Sequence, residues 1–98
     1  MNQAAMMRIK KMQKQMMDAQ KQLEESVYTG SAGGGMVTVE VKGTHEVLSV
    51  KIDPEALESK DDIEMIEDTL VAALNDANKK LEDATQKIMG GFGGMGLF

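Results

Sequence analysis

The side chains with the clearest chemical capacity are four bases near the N-terminus, Arg8, Lys10, Lys11 and Lys14, with Lys21 two turns further on. Ammonium and guanidinium groups recognise phosphate, and each phosphate they neutralise on a nucleic acid releases condensed counterions. Residues 1 to 17 carry these four bases and no acid, although the whole chain has a net charge of −5. The carboxylates gather elsewhere: Asp53, Glu55, Glu58, Asp61, Asp62, Glu64, Glu67 and Asp68 face Lys60 alone. A uniformly acidic surface would argue against an anionic partner, whereas charge segregated along the chain leaves such a partner open.

Other chemistries find less support. Cysteine is absent, which excludes disulfides, thiolate zinc sites and cysteine nucleophiles and fits a reducing cytoplasm. His45 is the sole histidine, so neither a His-based metal site nor a Ser-His-Asp arrangement is supported. Acid–base catalysis needs two carboxyl groups in contrasting environments, and here they fall in one solvent-facing run. No enzyme activity, cofactor or small-molecule substrate is expected. Gly33-Gly34-Gly35 lacks the Gly-Lys-Ser/Thr ending of a phosphate loop and leads into a strand, which points to close backbone approach instead. Ten methionines include Met6, Met7, Met12, Met16 and Met17; at helical spacing they read as adaptable packing rather than a soft-metal cluster. No stretch approaches the roughly 20 apolar residues that span a bilayer, and the N-terminus lacks the apolar run of an export signal, so neither insertion nor export is expected.

Presenting the bases to a partner requires a rigid element. From residue 1 to about residue 25 there is no Gly or Pro, and Ala, Met, Gln, Lys and Glu dominate, which predicts one helix about 35 Å long. Ala5, Ile9, Met12, Met16, Ala19 and Leu23 follow steps of four and three, the seam of a heptad. At about 100° per residue, Lys10, Lys14 and Lys21 lie roughly 140° to 180° from that seam and Lys11 about 120°. The same pattern would suit an ordinary solvated helix face. A rod of this length exceeds what a small sheet can cover, so part of it should project or pair with another helix.

Residues 26 to 53 predict an antiparallel sheet. Ser26 to Gly35, with four glycines, predicts an irregular or bulged first strand. Val37, Val39 and Val41 then alternate onto one face of a second strand, and Leu48, Val50 and Ile52 onto one face of a third. Gly43 and Thr44 suit a tight turn between them, with the glycine at positive φ. Both apolar rows are expected to pack on a second helix. Asp53-Pro54 ends the third strand, and Ser59 with Asp62 has capping-box spacing for a helix over 60 to 89. Its apolar stripe is Ile63, Ile66, Leu70, Ala73, Leu74, Ala77, Leu81, Ala84 and Ile88, and Gly90-Gly91 should stop it. Residues 90 to 98 read as a flexible Gly/Met tail whose Phe92, Met95, Leu97 and Phe98 suit docking on an apolar surface. The expectation is one α+β domain over 1 to 98. With aromatics at 3%, its core is thin enough that subunit association is expected.

The order of these pieces carries a resemblance. A Met/Gln/Lys-rich helix precedes Gly33-Gly34-Gly35-Met36-Val37-Thr38-Val39. Gly43-Thr44-His45-Glu46-Val47-Leu48-Ser49-Val50-Lys51-Ile52-Asp53-Pro54 follows, then Leu74-Asn75-Asp76-Ala77 and a terminal Gly-Met-Gly. Over essentially its whole length the chain resembles the YbaB/EbfC family of nucleoid-associated proteins. The resemblance implies a tweezer-like homodimer, joined through its sheets, whose helical arms grip double-stranded DNA mainly by its backbone phosphates. It implies cytoplasmic, nucleoid-associated residence, an effect on nucleoid organisation and gene expression, and no cofactor. By the same resemblance Arg8, Lys10, Lys11 and Lys14 are the expected DNA contacts, with Lys21 on the same helix and Lys79, Lys80 and Lys87 on the second helix as further candidates. The tail departs from the pattern, lacking the prolines and lysine that relatives often carry. The rival reading is a coiled-coil or chaperone-like adaptor whose seam and methionines hold a protein client.

Overall fold

Asn2 starts the first helix by accepting the Ala5 N–H on its side-chain oxygen at 2.8 Å, which satisfies one of the orphan amides of the first turn. In the computed structural model, which describes residues 2 to 93 and side chains through residue 90, this helix (α1) runs Gln3–Glu25. The expected docking of Met95, Leu97 and Phe98, and of the Phe92 side chain, lies outside the described residues. Three strands follow, β1 (Val27–Ala32), β2 (Val37–Lys42) and β3 (Val47–Ile52), then a 3-10 turn (Pro54–Ala56) and a second helix, α2 (Asp62–Gly93). The strands pair antiparallel in the order β1-β2-β3. The architecture is α+β: helix, three-stranded meander, helix.

The core forms where α2 crosses β1 and β2. Val37, Val39 and Val41 are fully buried against Ala73, Ala77 and Leu81, with Tyr28, Ala32, Met36, Leu70 and Leu74 packed around them. Gly30 sits opposite Val39 in the sheet, and its missing side chain lets the helix backbone approach. A Cβ there would overlap the Ala73 carbonyl oxygen and lie 2.8 Å from the Ala77 methyl.

Several expectations are corrected. The first strand is regular over its six residues and pairs with β2 without interruption. The irregularity falls between β2 and β3 at Glu40/Val41, where Val47 rather than Leu48 comes opposite Val41. The glycines expected to disturb β1 instead form its exit turn, with Gly33, Gly34 and Gly35 all at positive φ. In the hairpin, Lys42 accepts the His45 N–H at 2.8 Å, and the left-handed residue is His45 at φ 74°, not Gly43. Gly43 is required for a different reason: a Cβ there would overlap the Leu23 carbonyl at the end of α1.

The third-strand row does not pack on α2. Val50 and Ile52 stand opposite Val39 and Val37 and share their face, yet they are 44% and 43% exposed, and Leu48 is similarly open. One helix is about 10 Å wide, enough to cover two strands spaced about 4.8 Å apart and not the third. The second helix begins at Asp62, whose carboxylate accepts the Ser59 N–H at 3.0 Å while Ser59 Oγ accepts the Asp61 N–H at 3.2 Å. It continues through Gly90 and ends at Gly93 rather than stopping at Gly90-Gly91. Ile63, placed in its buried stripe by the sequence, is exposed.

Candidate nucleic-acid interface

The bases on α1 owe their placement to how that helix leaves the sheet. Its C-terminal end is fixed beside the hairpin turn, where Ser26 accepts the Gly43 N–H at 2.9 Å and Leu23 lies against Gly43. No residue of α1 is fully buried. Its Ala5, Met12, Met16, Ala19 and Leu23 seam is half-buried, while Ile9 is exposed. Cα extents of 71 × 19 × 16 Å show how far the helices reach past the sheet. The arm is an extended rod anchored at one end.

Arg8, Lys10, Lys11, Lys14 and Lys21 are all exposed on this rod. Among the described residues the only ion pair is Lys80 with Asp76, at 3.3 Å, so none of the five arm cations is paired with another described residue. The acidic run of residues 53 to 68 begins at the far end of β3 and enters α2, and it neutralises none of them. Charge that is free and displayed on a projecting rod suits long-range attraction of a polyanion and direct contact with its phosphates.

The second-helix candidates separate. Lys79 and Lys87 are exposed. The Lys80 ammonium, by contrast, donates to the Thr29 carbonyl at 2.8 Å and pairs with Asp76. Asp76 also accepts the Ser31 N–H at 3.0 Å. That backbone hydrogen bond, with the Lys80 contact next, holds the Asp76 carboxyl below its ordinary pKa. The Asp76–Lys80 pair thus occupies a donor and an acceptor on the outer edge of β1, while β3 keeps its edge open. Sequence reasoning missed this clamp, whose signal was the i, i+4 spacing of an acid and a base on one helix face.

Elsewhere the surface offers little chemistry. His45 lines an open groove with Asn78, Leu81, Glu82 and Thr85 between the hairpin turn and α2. Among the described residues no three His, Cys, Asp or Glu side chains group to hold a metal ion, and no helix is long and apolar enough to cross a membrane.

Comparison with known proteins decides the family. Residues 1 to 96 match the model of the YbaB/EbfC DNA-binding family. The chain belongs to the YbaB/EbfC family. A nucleoid-associated protein of Rhodococcus jostii is 47% identical over 98 residues, covering 96% of this chain and 86% of its own. One from Saccharopolyspora erythraea is 43% identical, with 97% and 90% covered, and one from Legionella pneumophila 48% identical, with 79% and 67% covered. Among solved structures, an uncharacterised protein from Helicobacter pylori superposes with a TM-score of 0.71 at 27% identity, over 94% of this chain and 97% of that one. Membership of the YbaB/EbfC family thus gives the displayed cations of α1 a DNA-binding context.

Proposed function

We propose that this YbaB/EbfC protein is a non-enzymatic, nucleoid-associated homodimer of the cytoplasm that grips duplex DNA between helical arms, mainly through lysine contacts to backbone phosphates. In this role it shapes nucleoid organisation and gene expression without a cofactor or small-molecule substrate. The observation that carries the reading is the set of five exposed, unpaired cations on α1. Arg8, Lys10, Lys11 and Lys14 make the principal contacts, Lys21 extends them toward the sheet, and Lys79 and Lys87 add to them. Lys80 contributes to the fold instead.

The sheet supports the dimer. β1's outer edge is occupied by Asp76 and Lys80, whereas β3 presents an open edge and exposed Val47, Leu48, Val50 and Ile52. A second copy covering that strand would complete the core that α2 leaves unfinished and would remove an edge otherwise prone to unspecific pairing.

Charge reversal tests the reading. The Lys10→Glu, Lys11→Glu, Lys14→Glu triple variant should fail to retard a duplex on a gel at low salt while sedimenting as the same oligomer as the parent. For the parent, log affinity should fall linearly with log salt, with a slope of about −0.9 for each phosphate neutralised. Unchanged retardation by the triple variant would overturn the assignment.

A further inference from the structure

The outward face of α1 is not uniformly charged. Met7, Lys10, Lys14, Met17 and Lys21 follow one another in steps of three, four, three and four, a second heptad stripe on the side of the helix away from the apolar seam. At about 1.5 Å per residue it is roughly 21 Å long. Met7 and Met17 are the most exposed large apolar side chains of the helix, at 70% and 69%. They differ in this from Met12 and Met16, which are half-buried in the seam. Packing of the fold therefore explains Met12 and Met16 and leaves Met7 and Met17 largely exposed.

We propose that Met7 and Met17 are DNA-contacting residues that pack their thioether side chains against the sugar and base-edge carbons of a groove while Lys10, Lys14 and Lys21 engage the flanking phosphates. The inference rests on the DNA-binding reading above and deepens it. The occupant is assigned by charge complementarity: the methionines share their stripe with three ammonium groups, against one nearby carboxylate, Asp18, a balance that favours a polyanion. A duplex meets both demands, since its grooves expose apolar carbon between two rows of phosphate. Proteins that bind the minor groove commonly combine basic side chains with apolar ones, methionine among them, that press against the bases. Methionine also adapts its three torsions to an irregular surface. Because apolar contact releases no counterions, this part of the affinity survives salt that weakens the lysine contacts.

The test compares the full-length chain with the Met7→Gln, Met17→Gln and Met7→Leu, Met17→Leu double variants, each titrated with one defined duplex across a salt series. Glutamine and leucine are helix formers close to methionine, and both sites are exposed, so the arm should persist, as far-ultraviolet circular dichroism will verify. The glutamine variant should bind roughly threefold to tenfold more weakly per methionine, an effect on the order of half-burial of one such side chain. Its log–log salt slope should match the parent's, and the leucine variant should recover most of the affinity. Parental affinity in the glutamine variant, a changed slope, or a leucine variant as weak as the glutamine one would overturn the inference while leaving the lysine grip standing. Failure of the parent to bind any duplex, or binding that strengthens with salt as an apolar protein client would show, would overturn the DNA reading itself.

Discussion

Replacing Gly30 by alanine isolates the contact on which the subunit's core depends. A glycine inside a strand ordinarily costs about 0.5 to 1 kcal/mol relative to alanine, so Gly30→Ala in an open strand would stabilise the protein. Here the new methyl would overlap the Ala73 carbonyl oxygen and the Ala77 amide. These are backbone atoms, which cannot rotate aside as a flexible side chain would. Relief requires lifting α2 from the sheet, which loosens its contacts with Val37, Val39 and Val41. Overpacking of a tight core costs about 1 to 3 kcal/mol, and rigid obstacles place this case at the upper end. After the strand gain is subtracted, a net loss of about 2 kcal/mol remains. For a chain of this length that lowers the melting temperature by roughly 8 to 16 °C. Urea unfolding followed by circular dichroism would measure it, with the slope m confirming that the same surface unfolds. A Gly30→Ala variant as stable as the parent, or more so, would mean that α2 does not rest directly on β1.

Three other outcomes follow from named contacts. Val39→Asp buries a carboxylate beside Ala73 and Ala77 with no partner, so the variant should unfold or dissociate; a normally folded protein by circular dichroism and sedimentation would contradict the assigned core. Asp76 has its carboxyl pKa lowered from 3.8, so the ionised form favours the folded state. Its stabilising effect is complete well above pH 3.8 and is lost as the pH falls through the lower folded value. Asp76→Asn should therefore be less stable than the parent near neutrality, with the gap in urea midpoint narrowing in acid; a gap that does not change with pH would contradict the role. Lys80→Ala should leave the salt slope of DNA binding unchanged, because its ammonium is held by Thr29 and Asp76, whereas Lys14→Ala should flatten that slope by about 0.9 per contact.

Much of this fold is legible in the order of residue types. The α1 seam of Ala5, Met12, Met16, Ala19 and Leu23 is the less exposed side of the observed helix. In α2, Ile66, Ala73, Ala77 and Leu81 are buried where their spacing places them. What alternation cannot convey is how wide a covering element will be. Leu48, Val50 and Ile52 have the pattern of a buried row and remain open because α2 lies over the neighbouring strands. Gly30 and Gly43 look like generic strand and turn glycines, yet each is fixed by a close approach from a residue distant in sequence or on another element. The arm cations were legible as a group because they sit on one uninterrupted helix. The contacts of Lys80 are not legible in the same way, because its partners come from both α2 and β1, and only the packing of one on the other brings Thr29 within its reach. Spacing sets Met7 and Met17 off the seam of α1, but only their exposure distinguishes them from the packing methionines Met12 and Met16.

The slenderness of the subunit bears on how its assembly is measured in solution. Its radius of gyration is 19.4 Å, against about 13 Å for a compact chain of this length. A shape so drawn out meets more friction than a sphere of equal mass, so gel filtration calibrated with round standards will assign even a single subunit the mass of a larger species. Counting subunits therefore calls for light scattering or sedimentation equilibrium, whose readings depend on mass and not on drag.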